Sequence, residues 1–405
     1  MLIRSLAFRF KDPLPNEAKF LMEEFRLAVN NAIRLGIHSN STSRFALTEL
    51  AYKDFRKEHP NIYSQHLVST FEVAASILKN HRRRLRKGLP SQVPFVRRLF
   101  MKAENQAYKL DRKSGVIDLP IRAGLHIQLE LIVSDYHRRY LDDESLSLGS
   151  MTLLKDRVVV AIRKHAPKPY APASVLSLDT NERSLDGVLA KDDKIAAVVR
   201  AEFPEISVIQ STHHERRKRL QKKKSHDRRT AKRLCAREGT REHHRIDYRM
   251  HEVANAVLSF TEERSSMIVL EDLTGIRPGK GKKLNRRISM WPRRKLHQII
   301  EYKAAWRGIP IIKVDPRYSS RKCPVCGSIQ DSRKGAEFVC GCGWRINRHI
   351  NASINLLQTA TSEKAAGGLR FDPSAFQHDV VMVLCSPGKT VRPEPNGTSG
   401  IRAVA

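Results

Sequence analysis

Acidic residues are scarce in this chain of 405: 42 Asp plus Glu face 74 Lys plus Arg, leaving a formal charge of +32. Such a surplus repels itself in the compact state unless a polyanion neutralises it, and nucleic acid is the usual polyanion inside a cell. Long apolar runs are also lacking. No stretch of about 18 apolar residues occurs, which excludes a spanning helix, and the start MLIRSLAFRFKD lacks the apolar segment of a signal peptide. The expectation is a soluble, cytoplasmic protein with no membrane partner. Cysteine is sparse at six, with Cys323, Cys326, Cys340 and Cys342 clustered and Cys235 and Cys385 alone, so a disulfide framework is excluded. Aromatics are only 6%, yet hydrophobic residues reach 40%. At roughly 100 to 200 residues per domain the length suggests two to four domains with cores, which excludes a wholly disordered basic tail.

Apolar spacing predicts a strand over 2–10, then helices over 16–35, 45–57 and 65–85, the last ending in the basic run 81–88. From 93 to 162 the texture changes to short strand-like segments broken by Gly, Pro and Asp-Asp. The Pro-rich stretch 166–172 is the best domain boundary, because each proline holds itself and its predecessor extended. Beyond it come strands at 175–178, 187–189 and 195–199, one long charged helix over 212–260, a strand at 266–270, a helix over 293–306, a strand at 309–314 and a helix over 347–357. Three strands, helix, strand, helix, strand, helix is the element order of a ribonuclease H-like α/β fold. Its site gathers carboxylates from the first strand, the fourth strand and the last helix. The Gly-, Pro- and Ser-rich tail 361–405 reads as mostly disordered, with 380–384 its only apolar run.

The strongest motif is CxxC, 13 residues, CxC, with Gly327 and Gly343 following the pairs. Two tight knuckles place four thiolates around one ion, and zinc takes such a set tetrahedrally; with every position filled by protein the role is structural. A redox pair or a chance cluster is the weaker alternative at this spacing. Asp179 follows the apolar run 175–178 and Glu271 follows 267–270. Either acid alone is more often a turn former or helix cap. On neighbouring strands they would face one another and hold Mg²⁺ or Mn²⁺ for phosphodiester chemistry. The segment 213–249 is densely basic, and few acids interleave in its first half. Arg216, Arg217, Arg219, Lys222, Lys223, Arg228 and Arg229 are therefore candidates for phosphate contact rather than internal pairing. His213, His214, His243 and His244 receive no role.

These residues resemble TnpB, the RNA-guided DNA endonuclease family of insertion sequences, related to type V CRISPR effectors. The resemblance covers about residues 1 to 360. It rests on Leu176-Ser177-Leu178-Asp179-Thr180-Asn181, Ile268-Val269-Leu270-Glu271-Asp272-Leu273, the stretch from Trp291 through Tyr302-Lys303-Ala304, Val314-Asp315-Pro316-Arg317-Tyr318-Ser319-Ser320 and Ile350-Asn351-Ala352-Ser353-Ile354-Asn355-Leu356. It implies a β-barrel wedge domain (1–12 and 91–166) with an inserted helical recognition domain (13–90). A RuvC-like nuclease domain (172–317, closed by the final helix 346–360) follows, with an inserted zinc ribbon (318–345). Guide RNA and target DNA are the implied partners, and Asp179 and Glu271 align with the first two catalytic acids. Where the family has its third acid this chain has His349, and Asn347 is no substitute. Two acids neutralise less cation charge than three, and neutral imidazole suits Mn²⁺ or Zn²⁺ better than Mg²⁺. Impaired cleavage, a nuclease-inactive RNA-guided binder acting as a repressor, and a guide-independent zinc-ribbon accessory of transposition all remain open at this point.

Overall fold

The computed structural model describes residues 1–192, 194–222, 227–274, 281, 293–330, 335–362 and 381–385. The chain divides into two compact units, Met1–His165 and Ala166–Ala405, and the division falls where the Pro-rich segment begins. Among the described residues no helix is long and apolar enough to cross a membrane.

The first unit is built on a seven-stranded antiparallel sheet. Its strands are β1 (Leu2–Phe10), β2 (Phe100–Ala103), β3 (Lys109–Asp111), β4 (Val116–Arg122), β5 (Leu125–Ile132), β6 (Ser147–Leu154) and β7 (Arg157–Lys164), in the order β2-β6-β7-β1-β5-β4-β3. The first strand lies in the middle because it pairs along its length with β7, the last. Between β1 and β2 the chain makes three helices, α1 (Asn16–His38), α2 (Arg44–Glu58) and α3 (Ser64–Arg86). On α1 the residues Ala18, Leu21, Met22, Phe25, Ala28, Val29, Ala32 and Ile33 are buried, the i, i+3, i+4 stripe that reads as helix in the sequence. A short helix α4 (Asp135–Leu141), capped by Ser134, stands in the region expected to hold only strands.

The second unit carries a six-stranded mixed sheet. It is formed by β8 (Ser174–Thr180), β9 (Ser184–Lys191), β10 (Lys194–Glu202), β11 (Ser266–Glu271), β12 (Ile311–Val314) and β15 (Val381–Cys385), in the order β12-β11-β8-β9-β10-β15. Strands β8, β11 and β12 are parallel, whereas β9 is antiparallel to both of its neighbours. Helices α5 (Glu205–Lys222), α6 (Arg228–Glu263) and α7 (Arg293–Arg307) cover one face, meeting Leu176, Leu178, Ile268 and Leu270. Helix α8 (Arg348–Ser362) covers the other, meeting Val175, Met267, Val269 and Val314. Every residue of β8 and β11 is therefore buried, which explains why their centres are apolar apart from Ser177. Gly187 is where β9 comes closest to β8: a Cβ there would sit 2.3 Å from the Ser177 carbonyl oxygen. The hairpin β13 (Glu337–Val339) and β14 (Arg345–Asn347) leads into α8.

Two expectations change. The single helix over 212–260 is two helices: Asp227 accepts from the backbone N–H groups of Arg229 and Thr230 and so caps the start of α6. Within the tail, Val381–Cys385 is a strand parallel to β10, and Met382 and Leu384 pack on the core beneath the helices. An apolar run beside a sheet edge that needs a partner gains hydrogen bonds and burial there. The rest of the tail, 363–380 and 386–405, lies outside the described residues, as does Trp291.

Candidate active site and metal centre

Register places the two acids. Leu178 pairs with Leu270 on the parallel strands β8 and β11, so Asp179 and Glu271 follow as next residues on neighbouring strands. With a period of two, Val175, Ser177 and Asp179 share one face, as do Met267, Val269 and Glu271, and both sets lie beneath α8. The Thr180 backbone N–H donates to Glu271 Oε1 at 3.2 Å. On the opposite face Thr180 Oγ1 lies 2.7 Å from His297 Nε2, and burial first, then Lys313 and Arg293, push that imidazole down to about 4, so it is neutral.

His349 enters from the first turn of α8, where Asn347 Oδ1 accepts its backbone N–H at 2.9 Å, and its Nδ1 lies 3.1 Å from Asp179 Oδ2. Ser353, one turn on, ties the helix to the strands. Its hydroxyl accepts from the Asp179 N–H at 3.2 Å and donates to the Asp186 carbonyl at 2.6 Å, while its own carbonyl accepts from Ser177 Oγ at 2.8 Å. Burial raises the Asp179 carboxyl above its ordinary range, more than the His349 hydrogen bond and charge lower it, and Asp186 adds to the rise. Glu271 is pushed up to about 7 by burial, with the Asp179 charge second. The cleft over these groups, about 800 Å³, is lined by Asp179, Asn181, Glu271 and His349 together with Arg293, Arg317, Arg321 and Arg348.

The sequence reading missed Asp186, Asn181, Ser353 and His297. Asp186 pairs with Asp179 across β8 and β9 and is almost wholly buried. Its Oδ1 accepts from Arg200 Nε at 2.5 Å, and its Oδ2 accepts from Ser184 Oγ at 2.5 Å and Asn181 Nδ2 at 2.7 Å. A signal was present: an acid directly before Gly187, in a strand otherwise apolar at its centre, is an acid that the fold has to compensate.

The four cysteines converge. Their sulfurs all lie within 4.8 Å of one another, with Cys323 to Cys342 at 3.6 Å and Cys326 to Cys340 at 3.5 Å. Tetrahedral zinc with bonds of about 2.3 Å sets sulfurs about 3.8 Å apart, so the donor set and its spacing fit that ion. Gly327 (φ +74°) and Gly343 (φ +92°) supply the left-handed turns that close the two knuckles. Asn351 and Asn355 of α8 donate to the Lys322 carbonyl at 2.9 and 2.8 Å, fixing the knuckles to the helix that carries His349. Among the described residues the cysteines are the one set of three or more His, Cys, Asp or Glu ligand atoms this close together; Asp179, Glu271 and His349 do not form a second.

The basic candidates separate into two groups. Arg216 pairs with Glu238 at 3.3 Å and Arg217 with Glu242, acids on α6. Buried His213 also meets Glu238, Nδ1 to Oε1 at 2.8 Å. The expectation that internal pairing could not absorb this charge is corrected: packing α5 against α6 brings in acids some 25 residues away. Arg219, Lys222, Arg228 and Arg229 are exposed, and no acid among the described residues pairs with them. Lys223 lies outside the described residues.

Comparison with known proteins gives the following. Residues 294–356 match the family described as Cas12f1-like, TNB domain, and residues 21–117 match the uncharacterized protein MJ0013 family. The chain is 27% identical over 241 residues to the TnpB-like protein MJ0751 of Methanocaldococcus jannaschii, covering 57% of this chain and 86% of that protein. It is 24% identical over 342 residues to the TnpB-like protein MJ1635 of the same organism, covering 84% and 78%. Among solved structures, a Cas12f1–sgRNA–target DNA complex superposes with a TM-score of 0.53 at 14% identity, covering 84% of this chain and 81% of that one, which shows a shared fold.

Proposed function

The chain belongs to the TnpB family, related to the type V CRISPR effectors, and from that premise we propose that it is a transposon-associated, RNA-guided DNA-binding protein. It carries a metal-dependent, RuvC-like endonuclease site in which His349 stands where a third carboxylate would. One observation carries the reading: two buried acids end neighbouring parallel strands beneath the last helix, each raised by burial and Glu271 further by the Asp179 charge. A divalent cation relieves that repulsion, and two hard carboxylate oxygens suit Mg²⁺ or Mn²⁺. Asp179 and Glu271 would hold it, and the bound cation supplies an activated water and stabilises the leaving oxygen.

The chain's own groups prepare the site. The Thr180 N–H fixes Glu271, and His349 and Ser353 fix Asp179. Arg317, Arg321 and Arg348 line the cleft with positive charge that attracts a phosphodiester. Zinc in the four cysteines has a structural role. The first unit, as a wedge barrel with inserted recognition helices, would hold guide RNA and its duplex with target DNA. In this mode base pairing reads sequence while protein reads duplex shape. The solved neighbour, itself a complex with sgRNA and target DNA, supports these partners.

Expression with the surrounding locus tests the guide. A discrete RNA should co-purify, and an absorbance ratio of bare protein rules guide binding out. A second reading has its own observation. With His349 bonded to Asp179 and the neighbouring carboxylate, Asp186, already taken up by Arg200, Ser184 and Asn181, the chain fits an RNA-guided repressor that no longer cuts. Target cleavage in Mn²⁺ discriminates. If wild type is inert and His349→Asp cuts, the native protein is a binder; if wild type cuts and Asp179→Ala does not, it is a nuclease. Target binding indifferent to RNase points instead to the guide-independent accessory.

A further inference from the structure

Two carboxylates leave a cation short of protein oxygens, and the third donor is found just past the end of β8. Asn181 lies two residues beyond Asp179, and both line the cleft with Glu271. Its backbone is fixed, N–H to the Ser184 carbonyl at 2.8 Å, closing the turn into β9. Its side-chain amide is oriented by chemistry. Nδ2 donates to Asp186 Oδ2 at 2.7 Å, and the flipped arrangement would set a carbonyl oxygen against a carboxylate with no proton between them. The nitrogen is thereby committed to Asp186, and no described residue donates to Oδ1.

Asp186 cannot be the ligand. Both its oxygens are occupied, Oδ1 by Arg200 and Oδ2 by Ser184 and Asn181, and it does not line the cleft. It acts through Asn181.

We propose that Asn181 Oδ1 is the third protein oxygen at the Asp179–Glu271 cation site, aimed there by Asp186. An amide carbonyl is a hard donor of the kind that Mg²⁺ and Mn²⁺ accept. Being neutral, it completes coordination without adding charge to a pair that already balances one divalent cation. The inference rests on the metal-dependent reading above, and it gives His349 a different part: a partner that orients Asp179 rather than a direct substitute for the missing acid.

The test is Mn²⁺ binding by the full-length protein, read as loss of the free Mn²⁺ electron paramagnetic resonance signal, with Asp179→Ala as the background. Asn181→Ala should weaken site-specific binding roughly ten-fold, the scale of losing one ligand or its support. Asn181→Ser, which keeps a donor for Asp186 and lacks the carbonyl, should weaken it equally while melting like wild type. Should Asp179→Ala abolish binding while both Asn181 variants bind as wild type does, Asn181 is not a ligand and the two-carboxylate site stands. Should wild type bind no more Mn²⁺ than Asp179→Ala, the cation site itself falls, and this assignment with it.

Discussion

Replacing Glu271 with Gln should make the cation-free protein more stable at alkaline pH. Glu271 is buried and its carboxyl moves from an ordinary 4.5 to about 7 on folding, driven by burial and then by Asp179. A folded-state value above the unfolded one means that the folded chain holds the proton more tightly. That stability is full below about 4.5, fades as pH rises through about 7, and is gone by pH 8. At about 1.4 kcal/mol per pH unit the interval amounts to about 3 kcal/mol. Gln keeps an oxygen to accept the Thr180 N–H and carries no charge at any pH. The variant should therefore gain about 2 to 3 kcal/mol over wild type at pH 8, a rise in Tm of roughly 5 to 10 °C, and little at pH 5. The assay is thermal unfolding followed by tryptophan fluorescence at both pH values, in buffer without added divalent cation and without a chelator that would reach the cysteine site. Equal melting of the two proteins at pH 8, or a gain of the same size at pH 5, refutes the claim that the two acids repel one another in a buried site. Mn²⁺ should narrow the difference by stabilising wild type only.

The remaining expectations concern the surface and the cysteines. Arg219→Ala with Arg229→Ala should lower RNA affinity and reduce the slope of log K against log salt by about 0.7 for each phosphate that is no longer neutralised. Arg216→Ala with Arg217→Ala, whose partners are Glu238 and Glu242, should leave the slope nearly unchanged and lower the melting temperature instead. Filter binding across a salt series separates the two pairs. Metal analysis of reduced protein should find about one zinc per chain, and Cys340→Ser should lose it; full zinc content in that variant would dismantle the four-thiolate site. Because Asn351 and Asn355 tie α8 to Lys322, zinc loss should also lower the melting temperature.

What could be read from the sequence was what local spacing determines. The stripe on α1 and the mainly apolar centres of β8 and β11 each have a burial pattern that one element imposes by itself, so their bounds agree closely with the structure. Asp179 and Glu271 were legible for the same reason, as acids ending runs that must be buried. The interactions between elements were not. Arg216 meets Glu238 only because Asp227 starts a new helix inside a basic stretch and turns the chain back. The strand Val381–Cys385 has meaning only beside the free edge of β10. Asp186 lies seven residues from Asp179 and gave no motif, yet the register sets them side by side and the β8–β9 turn brings Asn181 onto Asp186. The same distinction bears on His349. Judged by position in a motif, it marks a lost carboxylate. Judged by its neighbours, it holds Asp179 Oδ2, in a pair whose other member, Glu271, is held through Oε1 by the Thr180 N–H of β8. The departure from the family pattern at one position therefore has to be weighed against a site assembled from four elements, and cation binding rather than the motif decides its function.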